Sequence, residues 1–299
     1  MRTRYIAGAA WIMTVVLAAA HCPAVGPAAG KAGADWRNWR GPNHDGISTA
    51  KNWSSSWPKE GPRVLWRASV GLGAGSVTIS SGRLYTMGNI KGTAGYATPV
   101  PFVSRGDGGS GGGVSVAIFS AHGLAVVRAS DGKELWKMPW PTNSGINVAD
   151  PIVSGGRIFI SSDYGVGCAL VTGGAGCTPS TVWRSRKMKN HWSTSVLWKG
   201  HLYGFDTARL RCLDVDTGKP RWSKKGLGKG TLMLADGKLI IMSHDGELVI
   251  AEATPAAFKP LARARILNGK CWAVPVLAGG RIHCRTDTGD LACVDVRKK

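Results

Sequence analysis

The sequence predicts an all-β protein, a β-propeller built from four-stranded antiparallel blades. Two repeated phrases and one compositional bias predict it. Hairpin phrases recur, as in "PIVSGGRIFIS" from Pro151 to Ser161 and "LMLADGKLIIM" from Leu232 to Met242. A turn phrase recurs as well: "RASDGKELW" ends at Trp136 and "LDVDTGKPRW" at Trp222. With 42 Gly and 13 Trp in 299 residues, and no long helical heptads, the chain favours tight turns and sheets.

Five stretches share one order: apolar residues, a small turn containing Gly, a basic residue, and a second apolar run. Besides the two above they are Val77–Met87, Val196–Phe205 and Pro275–Cys284. Each reads as a β-hairpin whose Gly supplies φ > 0. A sixth copy starts at Thr98–Val103 and resumes at Val114–Ala121, with the flexible insertion "SRGDGGSGGG" replacing the tight turn.

A third strand follows each complete hairpin, starting at Gly123, Gly167, Leu210, Gly246 and Gly289. After a turn comes a fourth, often carrying a Trp: Trp136, Trp183 and Trp222. Units of about 37 to 52 residues with four strands each are the pattern of propeller blades. A sandwich would not repeat its turn chemistry at a fixed period. The Trp residues are expected to fill the space between neighbouring blades.

The final unit, "LACVDVRKK", stops after three strands, while "GPRVLWRASV" (Gly61–Val70) is a lone fourth strand with Trp66. The ring therefore closes if the N-terminal strand completes the C-terminal blade, removing an exposed edge. The first repeat spacing is only about half a unit, which predicts five blades plus a half-blade. The domain reading is a signal peptide and short linker over 1–35, an N-terminal leading segment over 36–62 and the propeller over 63–299.

Arg2 and Arg4, the apolar run Ile6–Ala20 and the small residues Ala18–Ala20 form a Sec signal pattern, too short for a membrane anchor. The expectation is export to the periplasm or beyond, with no membrane span after removal. Lipid anchoring at Cys22 is not expected, because His21 precedes it where a small residue belongs. The formal charge of +20 suits polyanions such as nucleic acid, acidic polysaccharide or lipid head groups, or simply a scattered basic surface. Only "RSRKMK" (Arg184–Lys189) is a dense basic block and no nucleic-acid motif is present, so no nucleic-acid partner is expected. The seven Cys form no C-x-x-C pair, which argues against zinc and thioredoxin-type chemistry. Cys212 and Cys293 occupy equivalent repeat positions and read as small core residues.

The phrases also resemble a known family, the exported quinoprotein-like β-propellers with pyrroloquinoline-quinone-type repeats. The motifs that carry the resemblance are "DWRNWRGPNHDGIS" (Asp35–Ser48), the "WP…GPRVLW" approach, "TAGYATPVPF", "LWKMPWPT", "NVADPIVSGGRIFISS", "LWKGHLYGFD", "GLGKGTLMLADGKLII", "ELVIAEATP" and "GKCWAVPVLAGGRIHCR". Family members usually have seven or eight blades. The resemblance implies that middle blades are absent here, with the join near Ile90–Gly92.

That resemblance implies two readings. One is a dehydrogenase holding pyrroloquinoline quinone and Ca²⁺ on the propeller axis; no Cys-Cys pair and few acidic residues outside turns stand in its favour. The other, preferred here, is a non-catalytic binding or scaffold module without a cofactor, a monomer serving envelope proteins, a polymer or a small ligand. The outer-membrane assembly lipoprotein built on this repeat is its precedent. Propeller ligands sit at one mouth of the axis, on loops leading into each innermost strand. Aligning the units puts Ser76, Tyr96, Asn147, Asp150, His191, Trp192, Lys229, Cys271 and Trp272 there. Asp150 can equally cap a strand, His191 sit in a core, and the two Trp pack between blades. Lys229 lies in a Gly-rich loop with no following helix, so a phosphate cradle is not expected.

Overall fold

A computed structural model describes residues 40–41, 43, 45–69, 78–80, 83–85, 100–103, 113–120, 122–128, 131–143, 146–174 and 178–298. The signal segment, Ser76, Tyr96, the 104–112 insertion and the Ile90–Gly92 join lie outside them.

The sheets follow the repeat. The first blade is β5 (Val100–Val103), β6 (Val114–Ser120), β7 (Gly123–Arg128) and β8 (Glu134–Pro139), in that order. The second is β9 (Ile152–Ser154), β10 (Arg157–Ser162), β11 (Gly167–Thr172) and β12 (Ser180–Ser185). The third is β13 (Val196–Trp198), β14 (His201–Asp206), β15 (Arg209–Asp214) and β16 (Pro220–Lys224). The fourth is β17 (Thr231–Ala235), β18 (Lys238–Met242), β19 (Glu247–Glu252) and β20 (Pro260–Arg265). The fifth holds β21 (Val276–Ala278), β22 (Arg281–Arg285) and β23 (Asp290–Asp295), and β2 (Arg63–Ser69) is its outer strand. β3 (Thr78–Ser80) and β4 (Arg83–Tyr85) form a two-stranded half-blade.

The closure strand is therefore real: β2 runs antiparallel to β23, with Trp66 opposite Cys293. Four hairpin turns have φ > 0 at both central residues, at Gly155–Gly156, Lys199–Gly200, Asp236–Gly237 and Gly279–Gly280. That is the type I′ requirement, matched to strand twist. In the turn phrase that ends at Trp222, the Asp214 carboxylate accepts from the Asp216 and Thr217 amides and from the Thr217 hydroxyl. The Asp thus serves its turn.

Every outer strand carries the same bulge. The extra residue immediately precedes the Trp position: Leu135 before Trp136, Val182 before Trp183, Arg221 before Trp222, Leu261 before Ala262 and Leu65 before Trp66. A bulge bends its strand and increases its twist. The indoles reach the next blade. Trp183 donates from Nε1 to Val215 O at 2.9 Å, and Trp222 to Thr254 O at 2.8 Å. A Cβ on Gly218 would meet the Trp183 ring at 2.6 Å, and one on Gly173 the Trp136 ring at 2.7 Å. The repeated Gly is the seat of the neighbouring Trp. Apolar clusters accordingly join the first blade to the second, the second to the third, the third to the fourth and the fourth to the fifth.

The fourth blade breaks the pattern, because Ala262 stands where the others place Trp. The leading segment supplies the missing rings. Trp53, 3% exposed, joins the core between the fourth and fifth blades, and Trp57 packs against it. The amide of Ser54 donates to Val296 O, matching the bond that Val215 O accepts from an indole two interfaces away.

The same segment fills the channel. β1 (Ile47–Ser48) pairs in parallel with β17, the innermost strand of the fourth blade. Ser48 Oγ donates to Leu277 O on the innermost strand of the fifth. Arg40 is 4% exposed and donates to Ser195 O, immediately before β13. Its Nε lies 3.7 Å from the Asp150 carboxylate before β9. At the far end Lys51 pairs with Asp236 at 2.7 Å, on the β17–β18 turn. Residues 40–51 thus run down the inner edges of four blades, from the side where loops lead into innermost strands to the opposite side.

Candidate functional site

Call the first of these sides the upper face. Three successive crossovers cross it, each from the end of an outer strand to the next innermost strand: β12 to β13, β16 to β17, and β20 to β21. Each carries its ring or amine near the axis: His191 and Trp192 on the first, Lys229 on the second, Trp272 on the third.

These residues converge. The Trp192 and Trp272 rings stack with centroids 5.3 Å apart and planes 13° apart. His191 stands edge-on to both, 5.5 Å from Trp192 and 5.7 Å from Trp272. Tyr164, on the β10–β11 turn, lies 5.6 Å from His191 on the far side. Trp272 Nε1 donates to His244 Nδ1 at 3.3 Å, which fixes that His as the acceptor tautomer at Nδ1. Lys270 Nζ sits 4.2 Å above the Trp272 ring and pairs with Asp287 at 2.6 Å. All these side chains are half-buried.

The electrostatics follow from that placement. Burial first, then the charge of Lys229, holds the His191 imidazole below its usual pKa, with Asp163 opposing. His191 is therefore a neutral ring at physiological pH, and its buried Nδ1 has no hydrogen-bond partner. The cluster offers apolar ring surface with cations beside it.

Three predicted residues lie elsewhere. Asn147 is buried and donates to Trp140 O while accepting from Ser162. Asp150 is buried between Arg40 and the Thr194 hydroxyl, which donates to it at 3.3 Å. Both are spent holding the leading segment and a crossover in place. Cys271 is fully buried, its amide donating to His244 O. Its side chain packs in the apolar cluster between the fourth and fifth blades. Burial pushes the thiols of Cys168, Cys212 and Cys271 up to about 12, so none is a nucleophile. Sequence alignment missed Tyr164, His244 and Lys270. The first two lie on turns between second and third strands, which share the upper face; that topology was the available signal.

Beside the β20–β21 crossover lies a groove of 460 Å³ between Arg67 and Ser69 on one side and Asn268 and Asp290 on the other. Its walls are mostly polar.

Pyrroloquinoline quinone with Ca²⁺ would need an axial cavity lined by carboxylate and amide oxygens. The axis is filled by Arg40 and β1, and Asp150 is committed to Arg40 and Thr194. Among the described residues no three His, Cys, Asp or Glu side chains gather as a metal site. Among the described residues, those at the axis do not fit that group.

Comparison with known proteins gives a family match over part of the chain. Residues 91–224, from before β5 to the end of β16, match the family model described as outer membrane protein assembly factor BamB. The sequence resemblance to the pyrroloquinoline-quinone-type repeats is consistent with it. Similar solved structures include BamB from Moraxella catarrhalis, at 13% identity over 78% of this chain and 99% of that one, TM-score 0.32. Saccharomyces cerevisiae Sqt1 aligns at 14% identity over 74% of this chain and 66% of its own, TM-score 0.48. The computationally designed Ika8 protein aligns at 9% identity, TM-score 0.47, over 65% of this chain and 61% of its own. No curated protein matches the chain. Among the described residues no helix is long and apolar enough to cross a membrane.

Proposed function

We propose that this protein is a non-catalytic binding module, exported to the cell envelope, that takes its partner on the upper face at Tyr164, His191, Trp192 and Trp272. The observation that carries this reading is the convergence of rings from three separate crossovers onto one half-exposed cluster. The inter-blade rings lie on outer strands and reach the next blade, as Trp183 and Trp222 do, whereas these rings lie on crossovers and turns. Filling of the axis by the chain's own Arg40–Lys51 segment also supports binding at the surface over chemistry in a cavity. The match of residues 91–224 to a family of assembly factors agrees with a scaffold role.

The test compares wild type with Trp272→Ala and Trp192→Ala in capture of purified envelope components. Each variant should lose roughly 1–3 kcal/mol of binding, the range for a lost aromatic contact, with unchanged far-ultraviolet circular dichroism. If Trp272→Ala unfolds the protein, the ring is structural and the proposal fails. Dye reduction with an alcohol or sugar, after adding pyrroloquinoline quinone and Ca²⁺, would refute the non-catalytic reading.

A further inference from the structure

The three crossovers share more than their inner rings. Each also begins in cations at its outer end: Arg186 and Lys187 after β12, Lys224 and Lys225 at the end of β16, and Arg265 at the end of β20. Arg186, Lys187, Lys224 and Lys225 are exposed. Among the described residues none of these four has a carboxylate within ion-pair distance. Three acids on this face are already committed, while Asp163, Asp245 and Asp290 form no ion pair among the described residues. Asp206 binds Lys189 at 2.6 Å and Arg211 at 2.7 Å, Glu247 binds Arg263 at 2.7 Å, and Asp287 binds Lys270. On the opposite face some charges pair locally, as in Arg128–Asp131, Arg157–Asp216 and Arg297–Asp295, while Lys133, Lys199 and Lys219 stay exposed. The exposed, unpaired cations at the outer ends of the crossovers give this face a positive rim.

We infer that the upper face binds an acidic polysaccharide, one bearing uronate carboxylates along an extended chain. The inference rests on the proposed binding face and names its ligand class. Outer cations match carboxylates repeated along a polymer, whose charges a single small anion would lack. Indole and phenol rings near the axis suit the C–H faces of pyranose rings. The groove of 460 Å³ at the start of the β20–β21 crossover is lined by Asn268, Ser69 and the Asp290 carboxylate, partners for sugar hydroxyls.

The experiment measures binding of the full mature chain to polygalacturonate at low and at physiological ionic strength. Neutral dextran, duplex DNA and phosphatidylglycerol vesicles are the comparison probes. Two charge-reversed variants are made. One is Arg186→Glu, Lys187→Glu, Lys224→Glu and Lys225→Glu together; the other reverses the same number of charges, Lys133→Glu, Lys199→Glu, Lys219→Glu and Lys298→Glu, exposed on the opposite face. Wild type should bind polygalacturonate in preference to the other three probes, more weakly as salt rises. The upper-face variant should bind at least ~10-fold more weakly, the lower-face one nearly as wild type. Trp272→Ala should weaken binding further in the upper-face background. Equal loss in both charge variants would mean bulk charge and overturn the inference, as would tighter binding to DNA or to vesicles. Failure to bind polygalacturonate, with Trp272-dependent capture of an envelope protein intact, would overturn this inference alone and leave the binding face standing.

Discussion

His283 makes the closing blade sensitive to acid. It lies on β22 with 7% exposure, opposite Cys293 in the sheet and 6.0 Å from the Trp66 ring that closes the blade. Burial, and then the Arg281 charge, push its imidazole down from 6.5 to about 4. The unfolded chain protonates this His near pH 6.5, whereas the native state resists until about 4. The unfolded state therefore binds more protons in that window, and stability falls as pH falls. The contribution is complete above pH 6.5, declines between 6.5 and about 4, and is flat below. At 1.36 kcal/mol per pKa unit the loss is on the order of 3 kcal/mol. Replacing the imidazole by a non-titrating ring, His283→Phe, removes that slope. Urea unfolding of both proteins at intervals from neutral pH to pH 4 gives the difference in stability. Wild type should lose its advantage, or deepen its deficit, relative to the variant by about 3 kcal/mol across the window. A difference that stays constant over the window would refute the argument, because it would mean the native imidazole protonates as freely as the unfolded one.

Further expectations concern closure, seating and the channel. Deleting residues 61–70 should abolish cooperative unfolding, since it bares β23 as an edge; Trp66→Ala alone should cost about 3 kcal/mol, read from urea midpoints. Gly218→Ala combines φ of +67° with a ring 2.6 Å from the new Cβ. A loss of roughly 1–3 kcal/mol is expected, and a neutral result would show that Trp183 is not seated there. Arg40→Ala strands the buried Asp150 carboxylate and should cost about 3–5 kcal/mol, partly recovered by adding Asp150→Asn. Trp53→Ala should cost a similar ~3–5 kcal/mol if it stands in for the Trp that Ala262 lacks. Restoring a ring by Ala262→Trp in that background should recover part of the loss.

Hairpin positions, turn residues, the five blades with their half-blade and the closing strand were all legible in the sequence. Each rests on a short-range rule repeated many times: a turn needing φ > 0, strands alternating every second residue, a Trp at a fixed offset. The same was true of the pairing of β2 with β23, because an incomplete unit at each end has one economical solution. Tertiary structure decided the rest. Nothing in residues 36–62 repeats, so no period could show that Arg40–Lys51 fills the channel or that Trp53 replaces a ring absent at Ala262. The crossovers are likewise irregular, and side-chain direction there follows packing. Alignment could place Asp150, His191, Cys271 and Trp272 on equivalent loops. Only the fold turned Asp150 inward to a buried guanidinium and Cys271 into the core, while it brought His191, Trp192 and Trp272 together on the upper face.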